Sequence, residues 1–298
     1  MAPASASVRP IQSNEALPPH SFHRVAVRDG ELRYLRTGSG PTIVLLHTLR
    51  TQLEYWMPVV RELESRFDIV APDLPGHGQS AAPRVAYSAT YFIDVTEQFL
   101  EATNVREATV VGESIGGAIA LGLAARGSAH AARVVAINPY DYGRGGGIRR
   151  SSALASILFT IFQWPVVGPF TMAIGTKGIL RRVLEGGFYD PRRLSPELVQ
   201  LLWECGTLPG HSRAFLSLSR EWRSWIEGRA AYTHVRVPVT LVYGDHDWSR
   251  AEERQANARA LPAASLLSLV ACGHFASLER PADVAELIRE ETADTSVA

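Results

Sequence analysis

The chain has 298 residues, of which 46% are hydrophobic and 20% charged, and its 30 basic and 30 acidic side chains cancel. That is enough apolar material for a sizeable core. Nothing in the neutral balance favours phosphate-backbone binding, which needs a concentrated basic surface, so no nucleic-acid partner is expected. Cys205 and Cys272 form neither a disulfide framework nor a ligand cluster and are expected as buried thiols.

Residues 1–20 are rich in Ala, Ser and Pro and hold no apolar run, so they read as a disordered leader and not as a signal peptide. The chain is expected to be cytoplasmic. Phe22–Val27 and Glu31–Thr37 alternate polar and apolar residues around Asp29-Gly30, a hairpin signal. Thr42–His47 (TIVLLH) is a continuous apolar run, as in a strand buried on both faces. A helix over Gln52–Ser65, a strand over Asp68–Asp73, a helix over Ala89–Ala102 and a strand over Glu107–Gly112 follow. Ser114–Arg126 has the small, apolar make-up of a buried helix, and Ala132–Asn138 is again a strand.

From there the alternation lapses into helices and loops. Leu154–Gly175 carries no charge and is long enough to span a bilayer. Pro165 and Pro169 break it, so the expectation is two short apolar helices over a cavity, with no membrane span. Gly143–Gly147 (GRGGG) reads as a hinge of this insertion. Pro238–Gly244 then restarts the pattern, followed by a helix over Arg250–Ala260, a strand over Ser265–Val270 and a helix over Pro281–Glu291. Strands alternating with helices predict an α/β fold: a mostly parallel eight-stranded sheet covered on both faces. The divisions are a core of residues 21–139 and 233–298 and a helical lid of residues 140–232 between two strands of one sheet. No internal repeat is visible.

Gly112-Glu113-Ser114-Ile115-Gly116 matches G-x-S-x-G, and it lies between a predicted strand and a predicted helix, as the motif requires. Glycines two before and two after the serine permit a turn so tight that its Oγ projects alone. The same turn puts the Ile115 N–H at a helix start, beside any charge forming on a substrate oxygen. A serine is a poor nucleophile without an adjacent base held by a third group. His274, just past the final strand, is the candidate base, because catalytic groups of such sheets gather at the carboxyl ends of the strands. His20 and His23 lie near the leader, and His130, His211 and His234 lie in surface-like polar stretches. Asp245 and Asp247 both follow the strand ending at Gly244 and are the candidate orienting acids; His246 between them would point the opposite way. The order Ser…Asp…His is not that of trypsin-like or subtilisin-like proteases.

With these motifs in that order, and with Asp73-Leu74-Pro75-Gly76-His77-Gly78-Gln79-Ser80 after the fourth strand, the chain resembles the α/β-hydrolase fold superfamily over about Phe22–Glu291. The likeness is to its lidded serine-nucleophile branch of esterases, C–C bond hydrolases and cofactor-free haloperoxidases. The resemblance implies Asp247, three residues after the glycine closing its strand, as the triad acid. It makes the His77 stretch a structural loop, and it implies Leu49 N–H as the second donor beside Ile115 N–H. The usual Gly after His47 is here Thr48, whose β-branch disfavours φ > 0, so this loop is expected to follow a different path. The Thr48 hydroxyl is an alternative donor. Arg50 either binds a substrate carboxylate or pairs with Glu54 four residues on.

The chemistry implied is acyl transfer to water through Ser114, with a carboxylic ester of a largely apolar small molecule as substrate. C–C hydrolysis, thioester hydrolysis and a slow-turnover small-molecule receptor are the alternatives on the same triad. Epoxide hydrolases and haloalkane dehalogenases, lidded members of the same superfamily, use Asp at the elbow, so Ser114 argues against both. Tyr140, Trp164 and Trp248 are candidate substrate-binding walls beside Arg50. No zinc-ligand spacing, phosphate loop or dinucleotide loop is present, so no metal and no cofactor is expected.

Overall fold

A computed structural model describes residues 22–141 and 147–293. The leader, and Gly143–Gly146 of the expected hinge, lie outside the described residues. The elements run β1 (Phe22–Val27), β2 (Gly30–Thr37), β3 (Thr42–Leu46), α1 (Met57–Leu63), β4 (Asp68–Pro72), α2 (Ala89–Ala102), β5 (Ala108–Glu113), α3 (Ile115–Ala125) and β6 (Ala131–Ile137). Six helices follow: α4 (Ala153–Ile161), α5 (Val167–Ala173), α6 (Lys177–Glu185), α7 (Pro196–Gly206), α8 (His211–Arg220) and α9 (Trp222–Gly228). The chain then closes with β7 (Val239–Gly244), α10 (Ala251–Ala260), β8 (Ser265–Leu269), α11 (Ala276–Glu279) and α12 (Pro281–Ala293).

The strands form one eight-stranded sheet in the order β1-β2-β4-β3-β5-β6-β7-β8. β2 is antiparallel to both β1 and β4, and every pair from β4 to β8 is parallel. Strand alternation divides the core in two. Val44, Leu46, Val110 and Val134 face α2 and α3, while Ile43, Leu45, Val111 and Val135 face α1 and α12. A sheet apolar on both faces must be covered on both, which explains the apolar run Ile43–Leu46 of β3 and the full burial of β5.

The helical insertion, the expected lid, leaves the sheet after β6 and returns at β7. Leu154–Gly175 is split between α4 and α5, and no helix among the described residues is long and apolar enough to cross a membrane. Phe159, Phe162 and Phe215 of this insertion pack edge to face on one another, with ring centroids 5.5–5.8 Å apart.

Helix boundaries follow local chemistry. Ser88 caps α2 by accepting a hydrogen bond from Tyr91 N–H at 3.2 Å, and α2 starts and stops where the sequence pattern predicts. The expected helix over Gln52–Ser65 is instead a 3-10 turn at Leu53–Trp56 followed by α1, because Pro58 sits in the first turn of α1. His130 and His211, expected at the surface, are buried. His130 Nδ1 bonds the Val105 carbonyl at 2.6 Å, and His211 Nε2 bonds the Gly78 carbonyl at 3.1 Å. A polar sequence context does not show that a ring will be claimed by a distant carbonyl.

Candidate active site

The turn between β5 and α3 positions Ser114. Its φ of 59° is in the left-handed region, which a non-glycine residue occupies at a cost of roughly 1–3 kcal/mol. Three bonds hold it there: Ser114 N–H donates to Ile137 O at 2.9 Å, while its carbonyl accepts from Tyr140 N–H at 2.9 Å and Ala118 N–H at 3.1 Å. A Cβ on Gly116 would collide with the carbonyl oxygens of Leu46 and His47, and one on Gly112 with the carbonyl of Gly116. Both glycines are therefore required by the approach of backbone to backbone.

Ser114 Oγ donates to His274 Nε2 at 3.0 Å, and His274 Nδ1–H donates to Asp247 Oδ1 at 2.5 Å. All three side chains are buried. Asp247 Oδ2 accepts from Ser249 N–H at 2.9 Å. Burial works to raise the Asp247 pKa, but the His274 charge and the bonds from His274 and Ser249 hold it below the ordinary carboxylate value. Asp245 is engaged elsewhere. It accepts from Ala271 N–H at 3.0 Å and Cys272 N–H at 3.1 Å and bonds the exposed His246 ring at 2.7 Å. The two acids thus divide their work, one tying loops and one facing the imidazole.

Several residues that sequence reasoning missed fix the His274 loop. Asn138, at φ 44°, donates to the carbonyls of Gly273 (3.2 Å) and His274 (3.1 Å) and accepts from Gly244 N–H at 3.0 Å. His274 N–H donates to the lid carbonyl of Gly187 at 2.6 Å. Glu279 accepts from Gly273 N–H at 2.7 Å and from Asp190 N–H of the lid at 2.8 Å. The Trp248 indole, expected as a substrate-binding wall, also stacks on the imidazole with centroids 3.8 Å apart and planes 15° apart, and its Nε1–H donates to Gly186 O at 3.1 Å.

Glu113, beside the serine, accepts from Ala276 N–H at 2.6 Å and from the Ser277 hydroxyl at 2.5 Å, tying the elbow to the turn after His274. Burial raises its pKa from 4.5 to about 7. A carboxyl that holds its proton more tightly when folded loses stability as pH rises from the unfolded value to the folded one. We expect Glu113→Gln to remove that slope. Relative to Glu113→Gln, the wild type loses on the order of 3 kcal/mol between pH 4.5 and 7. Urea unfolding of both proteins at pH 4.5, 6 and 7.5 checks this, and a difference independent of pH refutes it. Comparing the pair cancels the opposing slope from the buried rings of His47 and His77, whose pKa values burial lowers.

The loop after β3 turns at Arg50 rather than at Thr48. Thr48 avoids positive φ, and the left-handed residue is Arg50, at φ 62°. The Thr48 carbonyl accepts from the Thr51 hydroxyl at 2.8 Å and lies 2.8 Å from His47 Nδ1, while His47 Nε2 accepts from Leu74 N–H at 2.9 Å. In a trans peptide N–H and C=O point opposite ways, so Leu49 N–H projects out of this knot. Neither Leu49 N–H nor Ile115 N–H donates a hydrogen bond among the described residues. The stretch after β4 is organised by Asp73, which accepts from Arg33 Nε at 2.6 Å, Leu53 N–H at 2.8 Å and Gln79 N–H at 2.9 Å.

Ser114 and His274 open into a cavity with ≈ 190 Å³ of space for water-sized groups. That is an order of magnitude more than one water needs (~10–15 Å³). Its walls are mainly apolar, among them Phe159, Phe162, Met172, Leu180 and Trp203. Leu49, Arg50, Tyr140 and Trp248 line it as well. Trp164, expected as a wall, does not; it is 55% exposed on the outer surface of the lid. The expected Arg50–Glu54 pair is also absent: Glu54 accepts two bonds from Arg33, at 2.9 and 2.8 Å. Among the described residues no group of three or more His, Cys, Asp or Glu side chains is arranged to hold a metal ion.

Comparison with known proteins agrees with this layout. A family model described as alpha/beta hydrolase fold matches residues 41–165. An uncharacterized protein of Mycobacterium tuberculosis is 25% identical over 277 residues, covering 87% of this chain and 77% of the relative. The 2-hydroxymuconate semialdehyde hydrolase of Pseudomonas sp. (strain CF600) is 25% identical over 269 residues, covering 88% and 86%. The solved structure of the epoxide hydrolase CorEH superposes with a TM-score of 0.81 at 20% identity, covering 92% of this chain and 99% of that one.

Proposed function

Because this chain has the α/β-hydrolase fold, we propose that it is a serine hydrolase that cleaves a carboxylic ester of a largely apolar small molecule. One observation carries the reading: the bonded series Asp247–His274–Ser114 at the wall of an apolar cavity. His274 Nε2 takes the Ser114 proton as Oγ attacks the ester carbon, and the new oxyanion is held by Ile115 N–H and Leu49 N–H. The imidazolium returns its proton to the departing alkoxide, which leaves as the alcohol. Water, deprotonated by His274, then releases the acid from the acyl-enzyme and restores the serine. Asp247 keeps Nδ1 protonated throughout, and Trp248 and Tyr140 form walls of the substrate site.

The epoxide hydrolase likeness is one of fold. With a serine at the elbow, nucleophilic displacement by a carboxylate is not available to this chain. A second reading, C–C bond hydrolysis with the same triad, is favoured by the likeness to the Pseudomonas semialdehyde hydrolase, which covers 88% of this chain and 86% of that one. The test is a panel of p-nitrophenyl esters of graded acyl length, run beside a vinylogous diketone and an acyl thioester. The ester reading expects the highest kcat/KM on a medium-chain or aryl ester. Turnover of the diketone alone, or of the thioester alone, overturns it and leaves the triad standing.

A further inference from the structure

Among the described residues Arg50 has no charge partner. No acidic side chain among the described residues forms an ion pair or hydrogen bond with it, and Glu54, the acid closest in sequence, is committed to Arg33. Its guanidinium makes one long bond, from Nη1 to the Gly206 carbonyl at 3.3 Å, and lies 5.3 Å from the centre of the Phe215 ring. A Cβ on Gly206 would strike the guanidinium carbon, so the absence of a side chain there is what leaves room for the group. Arg50 lines the cavity that Ser114 and His274 line, and no other arginine and no lysine or carboxylate does so.

The guanidinium is part-buried, and holding a partly desolvated cation without an anion is unfavourable. Here the cost is compounded by a left-handed backbone at a residue with a long side chain. An arrangement this unfavourable in the free protein becomes favourable once an anion fills the cavity, because the planar fork of donors matches a carboxylate with two parallel bonds. A single guanidinium with no second cation beside it balances one negative charge, which fits a carboxylate better than a phosphate dianion.

We propose that Arg50 is the carboxylate-recognition residue of the cavity. The natural substrate then carries a free carboxylate in addition to the carbonyl that Ser114 attacks, joined by an apolar body that contacts Phe159, Phe162 and Leu180. This rests on the serine-hydrolase reading above. It narrows that reading to monoanionic, otherwise apolar molecules, of which a half-ester of a dicarboxylic acid is the simplest form.

The test compares p-nitrophenyl hexanoate with mono-p-nitrophenyl adipate, two activated esters of equal chain length, one neutral and one carrying a carboxylate. The wild type should prefer the adipate half-ester in kcat/KM, mainly through KM. In Arg50→Gln that preference should fall by about 30-fold, the loss expected for a charge-assisted pair, and Arg50→Lys should restore part of it. Equal losses on both esters, or no preference in the wild type, overturn the proposal.

A measurement on the unaltered protein guards against misfolded variants. 4-Phenylbutyrate should slow labelling of Ser114 by a fluorophosphonate, and 4-phenylbutyramide should not. Equal protection by the acid and the amide also overturns the proposal. Failure of the wild type to be labelled at all counts against the serine-hydrolase reading instead, so the two failures are distinguishable.

Discussion

Ser114→Ala is expected to lower kcat on the best ester by about 10⁶-fold, the loss typical when the nucleophile of a cooperating triad is removed. It should also abolish covalent labelling by a fluorophosphonate. The size follows from the geometry. Among the described residues Ser114 Oγ is the hydroxyl bonded to His274 Nε2, at 3.0 Å, and it stands at the start of α3, so no neighbouring hydroxyl substitutes for it. Fold stability should change little, because Ser114 is held by its backbone bonds to Ile137, Tyr140 and Ala118, which alanine keeps. Intact-mass spectrometry after labelling, with a thermal melt on the same samples, checks both parts. Labelling that persists in the variant would move the nucleophile elsewhere. A wild type that labels only over many hours, with the variant inert, would favour the slow-turnover receptor.

The same contrast between backbone support and side-chain reach explains what the sequence shows of this site. Ser114, His274 and the two candidate acids are legible because each follows a run whose apolar pattern marks a strand end, and strand ends of a parallel sheet converge. Choosing Asp247 over Asp245 needed the resemblance to a family; in space the choice rests on which carboxylate meets Nδ1 at 2.5 Å. Asn138, Glu113 and Glu279 left no signal. Asn138 acts on backbone atoms about 135 residues away, and Glu113 on those of Ala276 and Ser277.

The misplaced residues have equally local reasons. The i,i+4 rule linked Arg50 to Glu54, but that rule holds only on a helix surface, and here the left-handed Arg50 lies before a short 3-10 turn. Trp164 sits in the turn between α4 and α5, where hydrophobicity alone does not say which side faces the cavity. For α2, by contrast, capping chemistry and periodicity agree, and both ends were readable.

Asp247→Asn should cost about 10⁴-fold in kcat at neutral pH while leaving KM within a few-fold. Asparagine is nearly the same shape, so the loop should stay in place. The amide, however, presents either a carbonyl, which accepts from Nδ1–H without countering the imidazolium charge, or an NH₂. An NH₂ facing Nδ1 forces the proton onto Nε2, the nitrogen that must receive the Ser114 proton. Asp247 Oδ2 also accepts from Ser249 N–H, and keeping that bond favours the orientation with the NH₂ turned toward His274. The base is then in the wrong tautomer before the substrate arrives. Raising the pH should recover part of the lost rate, because hydroxide can substitute for an imidazole that no longer abstracts a proton. The wild-type rate should plateau instead, since Asp247 stays ionised throughout, its pKa held below the ordinary carboxylate value. Measuring kcat from pH 6 to 10 for both proteins decides it. A variant with the wild-type pH profile and less than tenfold loss would show that Asp247 only packs against His274, and the orienting role would pass to another group.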